Sequence, residues 1–331
     1  MILQPAVLAL LLIALLVAGM GLYAGFYGMR ILSRWDPASG SEGQLELERR
    51  TYLISTIMSY ILSCELMSLF LFIYTADDIH ILFTGARCAA GTLAVNSFGY
   101  PALILKMVNF LLAGVWLIIN YVDNKGYDYP LIKVKYELLN LIVVLLVQES
   151  VLLLAYFSGV KPDIITSCCG SLFSHDSASF SGDLAALPHL PMQVAFFAAM
   201  AVTAVSGAVF YLRGRIGYLF SIAATVSFLI AATSVVSFIC LYFYELPTHH
   251  CPFCLLQKEY GFIGYLLYAL LFSGAVAGIG TGVLMPFRTV ASLSRILPAI
   301  QRRLTLVTLF CYLLFTLIVS WKMIFSTLKL A

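Results

Sequence analysis

The residues best suited to chemistry are histidines and cysteines that lie close together in the last third of the chain. Residues 249–254 read His-His-Cys-Pro-Phe-Cys and directly precede a long apolar segment. Two cysteines with this spacing, here Cys251 and Cys254, form a small strained disulfide, and the N-terminus of a helix stabilises a thiolate. A neighbouring histidine can carry a proton to or from the pair. The spacing favours thiol–disulfide exchange, although zinc sites use the same spacing.

Further cysteines fall in hydrophilic segments between apolar ones. Cys88 lies in the segment 75–99, and the adjacent residues Cys168 and Cys169 lie in the segment 160–193. Thiols gathered on the oxidising side of a membrane form structural disulfides, redox-active pairs or metal sites, and the residues alone leave all three open. The other cysteines fall in apolar segments, where thiols behave as small apolar residues; they are Cys64, Cys240 and Cys311.

Composition indicates an integral membrane protein. The 331-residue chain is 62% hydrophobic and 11% charged, whereas soluble domains carry about 25% charged residues. Because a helix needs about 20 apolar residues to cross a bilayer, we predict an all-α, polytopic bundle of about eight transmembrane helices. The predicted spans are 2–29, 51–74, 100–121, 136–159, 194–211, 217–244, 255–284 and 304–325.

The basic residues predict an orientation. Thirteen of the nineteen Lys and Arg residues lie in alternate connecting segments, namely 30–50, 122–135, 212–216 and 285–303. Loops rich in Lys and Arg stay on the cytoplasmic side. We therefore expect both termini and the cysteine-bearing segments to face outward, toward the periplasm or exterior if the membrane is a bacterial inner membrane.

The segment 251–264 reads CPFCLLQKEYGFIG and resembles the active-site helix of the bacterial disulfide-bond oxidase B family. In that family a Cys-x-x-Cys opens a transmembrane helix, and an Arg four residues after the second cysteine lies near a bound quinone. Lys258 occupies that position here, although Lys lacks the planar donor fork of Arg. The resemblance implies that the two cysteines exchange electrons with a quinone. The residues that we assign to the quinone site are Lys258, His249 and His250.

The order of the segments is similar to that in the vitamin K epoxide reductase family, which shares a four-helix thiol-oxidoreductase architecture. There, a loop after the first helix carries a shuttle pair of cysteines, and a Cys-x-x-Cys opens the fourth helix. Residues 136–284 follow this order, with Cys168 and Cys169 as the loop pair, although the shuttle cysteines of the family are separated in sequence. The resemblance implies that an exported thioredoxin-like partner, or the loop pair, reduces a Cys251–Cys254 disulfide. Electron flow in the opposite direction stays open.

This match suggests a division of the chain into three parts. They are an N-terminal three-helix membrane region (1–135), a four-helix oxidoreductase-like bundle (136–284), and a basic cytoplasmic loop with a final helix (285–331). A disulfide from Cys88 to one of the two loop cysteines is an alternative that would join the first part to the second.

Ionisable residues also fall inside the predicted spans, namely Glu65, Lys106 and Glu149. Such groups usually face each other or a polar cavity, because charge is unfavourable inside a membrane. We expect an ion pair between helices, with a proton path or a polar quinone pocket as the alternative. The two carboxylates are not both expected to be ionised. Amides able to hydrogen-bond this cluster are Gln148, Asn109 and Asn140.

Two other functions stay open. A protein that handles copper or zinc would use soft and borderline ligands, and these are Cys168, Cys169, Cys251, Cys254, His249, His250 and His175. A non-catalytic subunit of a bioenergetic or secretion complex would use the cysteines as structural disulfides. The sequence has no haem-attachment or nucleotide-binding motif. The expected partners are membrane lipid and an exported protein or other membrane subunits. Nucleic acid is not expected.

Overall fold

The computed structural model describes residues 4–36, 39–160, 182–183 and 186–328. Of these residues 82% are helical and none forms a strand. Within them, eight helices are long and apolar enough to cross a membrane. The prediction of an all-α transmembrane protein with eight spans is confirmed, and the orientation stays a prediction.

The helices are numbered in chain order. They are α1 (Pro5–Arg34), α2 (Glu42–Asp78), the short α3 (Ala89–Leu93), α4 (Gly99–Asp123), α5 (Ile132–Gly159), α6 (His189–Arg213), α7 (Gly217–Ser234), the short α8 (Cys240–Tyr244), α9 (Ile263–Val283) and α10 (Leu297–Phe325). A π-helical turn, Val235–Ile239, joins α7 to α8, so that Gly217–Tyr244 forms one span. Such turns are rare and frequently lie at functional sites.

The described residues form two compact units. The first is drawn from Met1–Thr75, Asn96–Lys161 and Pro286–Ile300, and the second from Ala76–Val95, Pro162–Met285 and Gln301–Ala331. The three-part division of the chain predicted from the motifs stays a prediction.

In the first unit, α5 packs against α1 and α4. A row of glycines on α1 permits the close approach of α5, because a Cβ atom on Gly28 would lie 3.0 Å from Cδ1 of Tyr136. The same atom on Gly25 would lie 3.3 Å from Oδ1 of Asn140. Small residues at helix contacts are the usual device for packing in a membrane, where association depends on close van der Waals contact.

One basic residue lies elsewhere than the sequence predicted. Lys135 was placed in the cytoplasmic connection 122–135, but it lies in the first turn of α5 and is fully buried. Its ammonium group pairs with Oδ2 of Asp123, and Oδ1 of Asp123 accepts a hydrogen bond from the backbone N–H of Leu131 at 2.9 Å. The expectation that Lys135 belongs to the connection 122–135 is therefore wrong, and it can enter the helix because a buried counter-charge neutralises it.

In the second unit, α7 packs against α6 and α9. Helix α10 joins this group through two hydrogen bonds to backbone carbonyls. The hydroxyl of Tyr312 donates to Ala224 at 2.9 Å, and that of Thr308 donates to Gly274 at 3.0 Å. These helices support the segment between α8 and α9, which carries the Cys-x-x-Cys motif.

Candidate functional site

Cys88, Cys251 and Cys254 form a cluster in the second unit, and their sulfur atoms all lie within 4.8 Å of one another. The sulfurs of Cys88 and Cys251 are 3.6 Å apart, which is longer than a disulfide bond of about 2.05 Å. Cys88 and Cys251 are completely buried, and Cys254 is 6% exposed. Sequence reasoning found the Cys251–Cys254 pair but missed that Cys88 lies against it.

Polar contacts hold Cys88 in this position. Cys88 directly precedes α3, whose first residue, Ala89, donates its backbone N–H to Oδ1 of Asp77 at 3.0 Å. From the other side, Nε2 of Gln257 donates to the carbonyl of Arg87 at 2.8 Å and to Oδ1 of Asp77 at 3.3 Å. The segment that carries Cys88 is therefore tied directly to the segment that carries the Cys-x-x-Cys motif.

Two tyrosines fix the backbone of the motif. The hydroxyl of Tyr244 donates to the carbonyl of Cys251 at 2.6 Å, and the hydroxyl of Tyr268 donates to the carbonyl of Pro252 at 2.6 Å. The thiol of Cys240 also contacts the carbonyl of Cys251, at 3.5 Å. Sequence reasoning missed all three side chains, because a tyrosine or cysteine inside an apolar span carries no local signal of such a contact.

The sequence predicted that the motif opens a long helix, but the structure differs. Cys254 begins a single 3-10 turn, Cys254–Leu256, and α9 begins only at Ile263. Between them Gly261 and Phe262 adopt left-handed conformations, with φ of 63° and 57°. The predicted start of this span at residue 255 is therefore wrong, and the two cysteines do not lie in the first turn of α9.

A glycine brings the motif close to α9. A Cβ atom on Gly264 would lie 2.9 Å from the backbone carbonyl carbon of Leu255, which is too close for any larger residue unless the backbone moves. The segment after Cys254 thus folds back onto the first turn of α9. The segment 251–264 that resembles the disulfide-bond oxidases ends at this glycine. The position of the glycine in the sequence did not predict its close approach to Leu255.

Among the histidines that the structure describes, His249 reaches the cluster. Its Nε2 atom lies 3.3 Å from the sulfur of Cys254. Its ring packs against the ring of Tyr244, with centroids 4.8 Å apart. Depending on its protonation, Nε2 can donate to a thiolate or accept from a thiol, so His249 is placed to move a proton at Cys254.

The other predicted site residues have different positions. His250 places Nδ1 2.9 Å from the carbonyl of Val236, in the π-helical turn. Because a carbonyl only accepts, Nδ1 is the donor in this contact. Lys258 is exposed, in the 3-10 turn Lys258–Tyr260. The predicted shuttle pair Cys168 and Cys169, with His175, lies outside the described residues.

The ionisable residues of the spans meet in the first unit. Nζ of Lys106 donates to Oε1 of Glu65 at 3.1 Å, to Oε1 of Glu149 at 2.7 Å and to the hydroxyl of Ser68 at 2.7 Å. Asn109 donates to Oε2 of Glu149 at 2.6 Å. The predicted ion pairing is confirmed, and one lysine serves two carboxyl groups.

Comparison of the chain with protein-family models, curated proteins and solved structures finds no match. The described residues show a helical integral membrane protein with a buried cluster of cysteines. Such a cluster can exchange a disulfide between its sulfurs or bind a thiophilic metal ion.

Proposed function

We propose that this protein is a membrane thiol–disulfide oxidoreductase in which Cys251 and Cys254 form the redox pair and Cys88 exchanges with it. The observation that carries the proposal is the third sulfur, 3.6 Å from that of Cys251. Exchange proceeds by attack of a thiolate on one sulfur of a disulfide. Because the three sulfurs lie within 4.8 Å of one another, Cys251 can pair with either Cys254 or Cys88 after small side-chain movements.

The internal step is an exchange of one bond for another. When Cys251 and Cys254 are oxidised, the thiolate of Cys88 attacks the sulfur of Cys251. The Cys88–Cys251 bond forms, the Cys251–Cys254 bond breaks, and Cys254 leaves as a thiolate beside His249. A protonated His249 donates to this thiolate and stabilises it. The step transfers no net electrons, so reduction of the cluster requires two electrons from an outside dithiol, which becomes a disulfide.

A membrane quinone, the acceptor that the resemblance to disulfide-bond oxidases implies, would take two electrons and two protons and so restore the disulfide. The chain offers groups that suit a planar diketone beside Cys254. The ring of Tyr244 packs with that of Tyr260 at 4.7 Å and with that of His249 at 4.8 Å. Tyr244 is buried and holds the motif, so the partly exposed rings of His249 and Tyr260 would contact the quinone, and Nε2 of His249 would donate to its carbonyl oxygen. Lys258 is a further candidate contact on the exposed turn.

Burial determines how electrons reach the cluster. Cys88 and Cys251 have no exposed surface, so a folded partner protein cannot contact their sulfurs directly. The loop pair Cys168 and Cys169 would accept electrons from an exported thioredoxin-like protein and pass them inward. This arrangement requires that the loop faces outward, as the distribution of basic residues predicts, which is the periplasm if the membrane is a bacterial inner membrane.

The test is dithiol-dependent reduction of a quinone by the protein in liposomes, followed by the absorbance of the quinone. Cys251→Ser and Cys254→Ser should each reduce the rate to background, and Cys88→Ser should lower it by at least about 100-fold, since a displacement of a reacting group by about 1 Å already costs that much. Cys64→Ser is the matched control, because Cys64 is exposed on α2 and lies in the other unit. Full activity in both motif variants would overturn the proposal.

Metal binding is the second candidate, and the spacing of the sulfurs favours it. Two thiolates on one tetrahedral Zn²⁺, with bonds of about 2.3 Å, lie about 3.8 Å apart. The separation of Cys88 and Cys251 is 3.6 Å, and Cys254 with His249 would complete a Cys₃His set. Elemental analysis of protein purified under reducing conditions distinguishes metal binding from thiol–disulfide exchange. About one metal ion per chain that is lost in Cys88→Ser would support a metal site, and metal-free protein with full exchange activity would exclude it.

A further inference from the structure

The buried cluster of the first unit has more acidic than basic groups. The ionisable groups that face Glu65 of α2 are Lys106 of α4 and Glu149 of α5. All three side chains are at most 2% exposed. If every group were ionised, one positive and two negative charges would leave the cluster with a net charge of −1 inside an apolar helix bundle. A buried carboxyl group without a counter-charge takes up a proton instead.

The hydrogen bonds favour one of the two carboxyl groups as the site of this proton. Glu149 accepts on both oxygens, from Lys106 at 2.7 Å and from Asn109 at 2.6 Å. Glu65 accepts from Lys106 on Oε1, at 3.1 Å, whereas its Oε2 is buried and has no hydrogen-bond partner among the described residues. A carboxylate with fewer donors is the less stabilised anion, so the proton belongs on Oε2 of Glu65.

We propose that Glu65 is a reversible proton-binding site within the membrane, with Lys106 and Glu149 as a fixed ion pair beside it. Reversibility follows from the sharing of one lysine. A buried carboxyl group with no cation nearby would keep its proton, and one with a lysine of its own would lose it. Glu65 shares Lys106 with Glu149, so both its protonated and its ionised state are accessible. Proton uptake forms an O–H bond at Oε2 and makes the cluster neutral, and release restores the net charge of −1.

The site suits a proton better than a metal cation. Hard cations such as Mg²⁺ and Ca²⁺ take about six to eight oxygen ligands. Among the described residues, the cluster has two oxygens without hydrogen-bond partners, Oε2 of Glu65 and Oδ1 of Asn109. Nζ of Lys106 already contacts both carboxyl groups, and Ser68 donates its hydroxyl to the backbone carbonyl of Glu65 at 2.8 Å. The ligand is therefore a proton. The site goes beyond the proposed thiol chemistry, which does not depend on it.

Infrared spectroscopy of the full chain in lipid nanodiscs tests the proposal, because a protonated carboxyl group has a carbonyl stretch that shifts in D₂O. We expect one such buried group near neutral pH, lost as the pH is raised. Glu65→Gln should remove the band, since glutamine matches the neutral acid in size and charge. Glu149→Gln should also remove it, because Lys106 then neutralises Glu65 alone. Lys106→Met should double the band, since two buried acids are then protonated.

Controls separate these outcomes from general effects. Glu137→Gln changes an exposed carboxyl group of α5 and should leave the band unchanged. Glu65→Asp keeps the carboxyl group and should shift the band without abolishing it, which tests the proposal even if the glutamine variant unfolds. A band that survives Glu65→Gln in a folded protein, or its absence from the wild type near neutral pH, would overturn the proposal. So would loss of the band on replacing K⁺ by Na⁺, which would identify a competing cation.

Discussion

The contact between Cys88 and Cys251 predicts that a disulfide between them can be trapped. In Cys254→Ser, Cys251 loses its partner within the motif, and Cys88 lies 3.6 Å away. A disulfide bond is about 2.05 Å long, so the two sulfurs must approach each other by about 1.6 Å. A change of side-chain rotamer supplies a movement of this size without moving the backbone. We expect the Cys88–Cys251 disulfide in most molecules of this variant after mild oxidation.

The effect on stability can be calculated from the positions of the two residues. They are 163 residues apart in sequence, and closing a loop of this length stabilises the folded state by about 5 kcal/mol in the chain-entropy model. This value is an upper limit, because helices that stay in the membrane restrict the unfolded chain. Oxidised Cys254→Ser should therefore unfold at a clearly higher temperature than the same protein after reduction.

Peptide mapping without reduction is the assay. Digestion of oxidised Cys254→Ser should give one linked fragment that contains Cys88 and Cys251, and Cys254→Ser with Cys88→Ser should lack it. Adding Cys240→Ser to Cys254→Ser should keep it, since Cys240 contacts the motif through a backbone carbonyl. If Cys251 stays open to alkylation after oxidation, or pairs with a different cysteine, the inferred exchange between Cys88 and Cys251 is refuted.

Further substitutions test the packing around the site in the second unit and the buried ion pair of the first unit. Gly264→Ala should destabilise the protein by about 1–3 kcal/mol and lower quinone reduction, since its Cβ would press on backbone; unchanged melting and activity would contradict this. Tyr244→Phe removes a 2.6 Å hydrogen bond to a motif carbonyl and should cost about 1 kcal/mol in thermal unfolding. Lys135→Met leaves the buried carboxylate of Asp123 without its cation and should cost about 3–5 kcal/mol, whereas Lys133→Met, at an exposed position, should change stability by less than about 0.5 kcal/mol. Equal effects of the two lysine substitutions would argue against the buried pair.

The spans could be predicted because each is a long apolar run, but their ends depend on contacts that hydropathy does not include. Helix α5 begins at Ile132 and not at residue 136, because Asp123 neutralises Lys135 and lets it enter the helix. Helix α9 begins later than predicted, at Ile263. The preceding apolar residues, including Leu255, continue the hydrophobic pattern, while left-handed residues interrupt the helix.

The candidate site was predictable where spacing or charge carried a signal. The Cys-x-x-Cys spacing identified one pair, and an ionisable group in an apolar span implied a partner. Gln148 was expected to hydrogen-bond the ionisable cluster that contains Glu149, but it is exposed. Adjacent residues on a helix, such as Gln148 and Glu149, point in different directions. The position of Cys88 depends on the contacts of Gln257 with Asp77, between segments distant in sequence, and no local pattern reveals such contacts.

The most direct test of the proposed redox function is a thiol count on protein purified under native conditions. Cysteines are alkylated before and after mild reduction, and the labelled positions are mapped by mass spectrometry. Redox function predicts that Cys251 and Cys254 resist labelling at first, become labelled after mild reductant, and do so without release of a metal. Two results would contradict it: thiols that become labelled only when a chelator removes a bound metal, and a disulfide that persists under mild reductant, as a structural bond would.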